Sequence, residues 1–196
     1  MRNLLLLIIA LLISISGQSQ IEVSNSLTDE ELIQSLVGPG VAISNVTVNG
    51  APGAYGQFWG GQNGSGNVHI ESGVLITTGT IFNAVGPNSY PNNQTGINFF
   101  PGYGPLEEIV QAPTGDATVI EFDVTVSGDR LEFQYVFASE EYNEYVYQGY
   151  NDGFAFFISG PGITGTQNLA IIPETLEPVS VNTINNGYDE DCPSSG

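Results

Sequence analysis

Apolar and polar residues alternate along much of the chain with the period of two that is typical of β-strands. In the run from Thr118 to Val126, isoleucine, phenylalanine and valine take every second position, and glutamate, aspartate or threonine stand between them. This alternation predicts a half-buried strand with one face in water. A second run, Leu131 to Ala138, follows a Ser-Gly-Asp turn and places four apolar or aromatic side chains on one face. We therefore predict that the two runs form an antiparallel hairpin.

Other apolar segments are rich in β-branched and aromatic residues and are bounded by Gly, Pro or Asn, which predicts further short strands. These segments are 41–48, 68–78, 153–159, 169–172 and 178–184. Two longer stretches, 50–67 and 86–104, are rich in Gly, Asn and aromatic residues and are predicted to be surface loops.

One helix is predicted near the N-terminus. Thr28 is a capping residue and Glu31 completes a capping box, after which Leu32 begins an apolar stripe at helical spacing that ends before Gly38. Many short strands with one short helix predict an all-β fold, an antiparallel β-sandwich of the jelly-roll or lectin type. The helix is expected to pack over the edge or end of a sheet.

Residues 1–19 have the features of a secretory signal peptide. A short start containing Arg2 precedes the apolar run from Leu4 to Ile15, and small residues follow at Gly17 and Ser19. The apolar run is shorter than the roughly 20 residues that a membrane span needs. We therefore expect a secreted or cell-surface protein whose domain occupies residues 20–196.

A lone cysteine in an exported protein implies a partner cysteine elsewhere. Cys192 lies close to the end of the sequence, in an Asp-Glu-Asp-Cys-Pro segment followed by Ser-Ser-Gly. It pairs either with another chain or with a cysteine beyond Gly196. Because no closing strand follows it, we favour the second interpretation, in which the domain is truncated at its C-terminus.

The charge balance excludes two classes of partner. The chain has 21 Asp and Glu residues against 2 Lys and Arg, with no lysine, and its formal net charge is −19. Nucleic acid is excluded because phosphate binding needs several basic residues. Anionic membrane surfaces are excluded for the same reason.

The densest group of acids lies between the predicted strands 131–138 and 153–159. Glu140, Glu141 and Asp152 offer the hard oxygen ligands that Ca²⁺ prefers, and weak calcium sites are filled outside cells. With almost no bases in the chain, a cation would relieve the repulsion among these acids. We therefore predict that the three residues are metal ligands.

Tyrosines and amides accompany these acids. Tyr142, Tyr145, Asn151 and Asp152 are the predicted ligand-binding residues, since exposed aromatic rings beside acids and amides suit sugar stacking or a protein interface.

No nucleophilic catalytic group is evident. His69 is the only histidine, no Gly-x-Ser-x-Gly motif is present, and Cys192 has no activating neighbour. The chain is therefore predicted not to be an enzyme. Two alternatives stay open: a carbohydrate-active hydrolase that uses two of the acids as a carboxylate pair, and a structural matrix or spacer domain whose acids serve only solubility.

Two motifs together resemble the signature of a known family. The segment from Val136 to Tyr142, and that from Tyr150 to Gly162 with its Asn-Asp-Gly-Phe-Ala-Phe-Phe-Ile-Ser-Gly-Pro-Gly, resemble the choice-of-anchor L domain of bacterial exported surface proteins. The resemblance implies a surface module with no assigned catalytic residues and a sorting or anchoring region beyond residue 196.

A shorter likeness concerns the segment from Asn151 to Ile158, which resembles the Asp-Gly strand of legume-type lectins, where the aspartate serves a sugar site beside calcium. The hypothesis is therefore a non-catalytic module for adhesion to an extracellular glycan or a surface protein, with calcium as a candidate cofactor.

Overall fold

The computed structural model describes residues 21–62, 68–86, 98–139, 141 and 143–185. The predicted signal peptide, Glu140, Tyr142 and Cys192 lie outside the described residues. The strands are β1 Glu22–Ser24, β2 Val41–Asn49, β3 Tyr55–Trp59, β4 Ser72–Ile76, β5 Val119–Val126, β6 Gly153–Phe154, β7 Phe157–Ile158, β8 Gln167–Asn168 and β9 Val179–Ser180. The helices are α1 Asp29–Gln34 and α2 Gly104–Val110, with 3₁₀ turns at Ile81–Val85 and Asn143–Tyr145.

The longest strands, β2 and β5, pair with each other in antiparallel register from Val41 opposite Val126 to Asn49 opposite Val119. The register shifts between Ser44 and Thr47, where Asn45 has a left-handed φ of 53°. The side-chain amide of Asn45 donates a hydrogen bond to a carboxylate oxygen of Asp123, 2.6 Å away. The two predicted strands are confirmed, and a bulge locally increases the twist of the ribbon they form.

The second sheet has the order β1–β3–β4, with β3 in the centre. Strand β3 lies inside the segment 50–67, so the prediction of a surface loop there is wrong for Tyr55–Trp59. Gly56, which makes this segment look like a loop, has its backbone against β1 and the side chain of Ile81; a Cβ at this position would lie 2.6 Å from Ile81 Cδ1. The glycine is therefore a close-packing residue in a strand.

Strand β4 begins later than predicted. His69 has a left-handed φ of 62°, which breaks the extended backbone before Ser72. The predicted strand 68–78 is thus confirmed only over β4.

Helix α1 begins as predicted. The Thr28 hydroxyl accepts a hydrogen bond from the backbone N–H of Glu31 at 3.3 Å, and the Glu31 carboxylate accepts one from the backbone N–H of Thr28 at 2.9 Å. Leu32 and Ile33 are buried, and the helix packs against β2. The capping box and the packing on a sheet are confirmed.

The expectation of a single helix is wrong because α2 forms at Gly104–Val110. Its start carries Pro105, whose missing N–H costs nothing in a first helical turn, and the carbonyl of Tyr103 accepts from the N–H groups of Leu106 and Glu107. Seven residues are too few to show a helical period in the sequence, and the Gly-Pro start is typical of a loop.

The predicted hairpin between β5 and 131–138 is not formed. Strand β5 pairs with β2, and residues 131–138 have no strand partner within the described residues. Their predicted alternation nevertheless has a structural counterpart, because Phe133 stacks on Phe156 with ring centroids 3.9 Å apart and Tyr135 lies 5.1 Å from Phe154.

The predicted strand 153–159 is divided into β6, which pairs with β9, and β7, which pairs with β8. The side-chain oxygen of Asn168 accepts hydrogen bonds from the backbone N–H groups of Phe156 and Ala170. Because this side chain replaces a strand partner for Phe156, the ladder is interrupted there. The predicted strands 169–172 and 178–184 are correspondingly reduced to a bridge between Ile171 and Pro178 and to β9.

Deep burial is found at helix α1, at the 3₁₀ turn beside β3 and around β9. The largest fully buried side chains are Leu32, Ile33, Ile81, Val146 and Ser180. The described residues form mostly antiparallel strands with few helices, so the antiparallel β character is present. The sandwich or jelly-roll arrangement stays a prediction. Neither helix in the described part of the chain has the length and apolar character of a membrane span.

Candidate functional site

The predicted site residues that the structure describes lie on one long turn, which we call the acidic turn and which consists of residues 139, 141 and 143–152. It leads from the segment 131–138 into β6 and contains the 3₁₀ turn Asn143–Tyr145. Val146, near the middle of the turn, is fully buried and anchors the turn to the rest of the domain. Beyond Val146 the backbone reverses through left-handed conformations at Tyr147, with φ 59°, and Gly149, with φ 92°.

Strand β9 and the residues after it fix the far end of the acidic turn. The side-chain oxygen of Asn182 accepts from the backbone N–H of Tyr147 at 2.7 Å, and the side-chain oxygen of Asn151 accepts from the backbone N–H of Asn182 at 3.0 Å. The carbonyl of Asp152 accepts from the N–H of Val181 at 2.9 Å. The turn is therefore attached to a buried strand by three hydrogen bonds. Asn182 was not predicted as a site residue, because its partners lie far away in the sequence.

The structure brings together two of the three predicted metal ligands, Glu141 and Asp152, and their carboxyl groups are hydrogen-bonded to each other. Burial, followed by the charge and the hydrogen bond of Glu141, raises the pKa of Asp152 from its ordinary 3.8 to about 6. Below about pH 6, Asp152 therefore carries a proton, which reduces its repulsion from Glu141.

Ser139 orients the first member of this pair. Its hydroxyl donates to Oε2 of Glu141 at 2.6 Å and accepts from the backbone N–H of Glu141 at 3.0 Å. Ser139 was not predicted as a site residue, although a serine two residues before a glutamate is a recognisable local hydrogen-bonding pattern.

Glu144 occupies a different position in the acidic turn. Its Oε2 is the buried side-chain oxygen that has no hydrogen-bond partner within the described residues. Across the described part of the chain, no three His, Cys, Asp or Glu side chains lie close enough together to hold a metal ion. The carboxylates brought together are therefore the pair Glu141 and Asp152, and the third predicted ligand, Glu140, lies outside the described residues.

Among the described residues, no salt bridge joins a basic side chain to this pair. The sequence contains no lysine and two arginines, and the one within the described residues, Arg130, forms an ion pair with Glu132. Both partners of that ion pair are largely exposed to water. Within the described residues, the repulsion between the two carboxyl groups is thus relieved by the proton that Asp152 binds below about pH 6.

The tyrosines of the acidic turn differ in their exposure to solvent. Tyr145 is half-buried and meets Tyr150 edge to face, with ring centroids 5.4 Å apart. Tyr147 is 70% exposed and Tyr150 is 59% exposed. Tyr145 therefore supports Tyr150, while Tyr147 and Tyr150 present the larger aromatic surface to solvent. Tyr142 lies outside the described residues.

A hydrolytic carboxylate pair needs more space than this site offers. Glycosidases keep their two carboxyl groups about 5–9.5 Å apart so that a sugar carbon, or a sugar carbon and a water, fits between them. Glu141 and Asp152 are in direct hydrogen-bond contact. The geometry of this pair does not favour the hydrolase alternative.

A second constrained turn lies away from the acidic turn and was not predicted from the sequence. Both carboxylate oxygens of Asp116 accept backbone hydrogen bonds, one from Asn98 at 3.0 Å and one from Phe100 at 2.7 Å. The residue between them, Phe99, has a left-handed φ of 57° and is 90% exposed. No local sequence signal connects Asp116 to this turn.

The fold and the site together define a mainly antiparallel β-protein whose described residues contain a carboxyl pair but no assembled catalytic group. The chain matches the family model described as Choice-of-anchor L domain over residues 20–196, and it belongs to that family. Membership of this family implies an extracellular or cell-surface module of bacteria. No curated protein and no solved structure matches the chain.

Proposed function

We propose that this domain is a calcium-dependent recognition module that acts in adhesion to an extracellular glycan or a surface protein. The observation that carries the proposal is the hydrogen-bonded pair of Glu141 and Asp152 in a chain without lysine, whose one described arginine is paired with Glu132. In this proposal a calcium ion replaces the proton on Asp152, and Glu140, which precedes Glu141 directly, adds a third carboxylate.

Calcium suits this position better than other metals do. Carboxylate and amide oxygens are hard ligands, and the sequence has only one His and one Cys with which to build a transition-metal site. Outside the cell, calcium is abundant enough to fill a weak site. A site with few protein ligands leaves coordination positions for water or for the hydroxyl groups of a sugar.

The exposed tyrosines supply the recognition surface in this proposal. Tyr147 and Tyr150 project from the same turn that holds the carboxyl pair, and Asn182 and Asn151 fix that turn to β9. Aromatic faces stack on the apolar faces of sugars and also serve as anchors in protein interfaces. The neighbouring metal would fix the orientation of a bound ligand.

Thermal unfolding of the full chain tests the metal half of the proposal. Millimolar calcium is expected to raise the melting temperature of the wild type, because a ligand that binds only the folded state stabilises it. Glu141→Gln and Asp152→Asn should lose this rise, whereas the matched control Glu121→Gln, an exposed acid on β5, should keep it. No rise in the wild type, or an equal rise in all four proteins, would contradict the proposal.

A glycan array tests the recognition half. The labelled chain is expected to bind particular glycans in calcium and to release them in chelator, and Tyr147→Ser is expected to weaken binding without changing the calcium-induced rise in melting temperature. If the chain still bound the glycans in chelator, the metal would have no role in recognition. A chain that binds neither calcium nor any glycan or surface protein would instead be a spacer.

A further inference from the structure

The segment 131–138 has the sequence of a strand but makes none of a strand's hydrogen bonds. No backbone N–H or carbonyl of these residues is hydrogen-bonded to any other described residue. Residues 131–136 are all exposed, and Val136 is 53% exposed. Residues with a strand-forming sequence therefore lie at the surface. Their backbone donors and acceptors have no hydrogen-bond partner within the described part of the chain.

Aromatic stacking holds this segment in place without those hydrogen bonds. Phe133 packs on Phe156, and Tyr135 packs closest to Phe154, so the segment runs antiparallel to the chain that contains β6 and β7. Phe133 and Tyr135 also contact each other, with centroids 5.9 Å apart. The stacking orders one face of the segment, and the backbone stays available along it.

An exposed strand of this kind is a template for strand addition by another chain. Main-chain hydrogen bonds supply affinity in that mode of recognition, and alternate side chains supply specificity. The apolar positions here, Leu131, Phe133 and Tyr135, remain 37–43% exposed and offer apolar surface for the incoming strand to bury.

Charge determines the kind of strand that fits. The chain carries a formal net charge of −19, and its one base after residue 2 is Arg130, which is already paired with Glu132. A second copy of this chain would bring the same excess of negative charge and be repelled. A strand with lysine or arginine at its outward positions would be attracted.

We propose that residues 131–138 form an open strand edge that accepts a β-strand from a partner protein with apolar residues alternating with basic ones. This interaction surface is separate from the acidic turn and does not depend on calcium. A strand bound at this edge would supply the backbone hydrogen bonds that residues 131–138 do not make with β5.

Synthetic peptides test the proposal on the full chain. The probe is acetyl-KVKVKVKVK-amide, and the matched control replaces its two central valines with prolines, which removes backbone donors and keeps all five lysines. Fluorescence anisotropy at low ionic strength should show that the probe binds at least about tenfold more tightly than the proline peptide. Equal binding of the two would mean attraction by charge alone and would overturn strand pairing.

Two variants of one exposed residue locate the binding edge. Val136→Pro removes a backbone N–H and is expected to weaken probe binding about tenfold, whereas Val136→Thr keeps that N–H and should bind as the wild type does. Equal affinities of the two variants would overturn the assignment. Circular dichroism melts of both variants verify that they are folded.

Hydrogen exchange supplies a readout that does not depend on a variant. Amides of 131–138 are expected to exchange rapidly in the free chain and to become protected when the probe is bound. Protection already present in the free chain would show that the edge is occupied within the molecule. Sedimentation of a stable dimer through this edge would show that the occupant is a second copy, and either result would overturn the proposal.

Discussion

The carboxyl groups of Glu141 and Asp152 are hydrogen-bonded to each other at the base of the acidic turn, and burial, together with the charge and hydrogen bond of Glu141, raises the pKa of Asp152 to about 6. In the unfolded chain the same group titrates near its ordinary 3.8. Between these two values the folded state holds a proton that the unfolded state has lost. The pair therefore contributes its stability at acid pH, and that contribution is lost as the pH rises through about 6.

We expect Asp152→Asn to flatten this part of the pH dependence. In a calcium-free buffer with chelator, the free energy of unfolding of the wild type should fall relative to the variant between about pH 4 and pH 7, by at most about 3 kcal/mol. Urea unfolding across that range is the measurement. Parallel curves for the two proteins would show that the carboxyl pair does not hold the proton.

Asp116→Ala should destabilise the fold, because it leaves the backbone N–H groups of Asn98 and Phe100 without their acceptor. The expected loss is about 1–3 kcal/mol. Asp129→Ala, which removes an exposed acid from the turn after β5, is the control and should change stability by less than about 0.5 kcal/mol. Chemical unfolding of both variants gives the comparison, and equal losses would refute the role assigned to Asp116.

Phe99 is expected to favour glycine over alanine as its replacement. Its φ of 57° is in the left-handed region, where an alanine Cβ is strained and glycine is not. Both substitutions remove the exposed ring, so their difference isolates the backbone. We expect Phe99→Gly to be more stable than Phe99→Ala by about 1 kcal/mol in thermal unfolding. If Phe99→Ala were the more stable variant, the left-handed backbone at residue 99 would not be strained.

Gly56→Ala should destabilise the central strand β3, because the new Cβ would meet the carbonyl oxygen of Ser24 and lie 2.6 Å from Cδ1 of Ile81. Since strand β1 or Ile81 would have to move, we expect a loss of about 1–3 kcal/mol. Gly128→Ala is the matched control, since a Cβ added there would have no described atom outside its chain neighbours within 4 Å. Thermal unfolding of both variants gives the comparison, and a change at Gly56 no larger than at Gly128 would contradict the packing described here.

The strongest local patterns in the sequence predicted the fold best. The capping box of Thr28 and Glu31 depends on neighbours in the chain, and the alternation in 118–126 is regular, so both elements appear where expected. Gly56 suggested a loop because a glycine needed for close packing has the same sequence signal as a glycine in a loop. The pairing of β5 with β2, instead of with its neighbour in sequence, depends on long-range packing that a local pattern does not encode.

The candidate site was predicted only in part, because local patterns indicate the cluster of acids but not its long-range contacts. The clustering of acids between two apolar runs placed Glu141 beside Asp152, which the structure brings into contact. The supports from Asn182 and β9 were not predictable, because they join residues about 30 positions apart through backbone groups, which every residue carries. Which carboxylate keeps the proton depends on burial, and burial is set by the packed structure.

Calorimetric titration of calcium into the full chain tests the central claim most directly. We predict a saturable heat with an affinity of about 10⁻⁴–10⁻³ M. At a pH near 6 this heat should vary with the ionisation enthalpy of the buffer, because the ion displaces the proton that Asp152 binds. Asp152→Asn should abolish both the heat and its buffer dependence. No heat from the wild type at millimolar calcium, or the same heat from Asp152→Asn, would contradict a calcium site at this carboxyl pair.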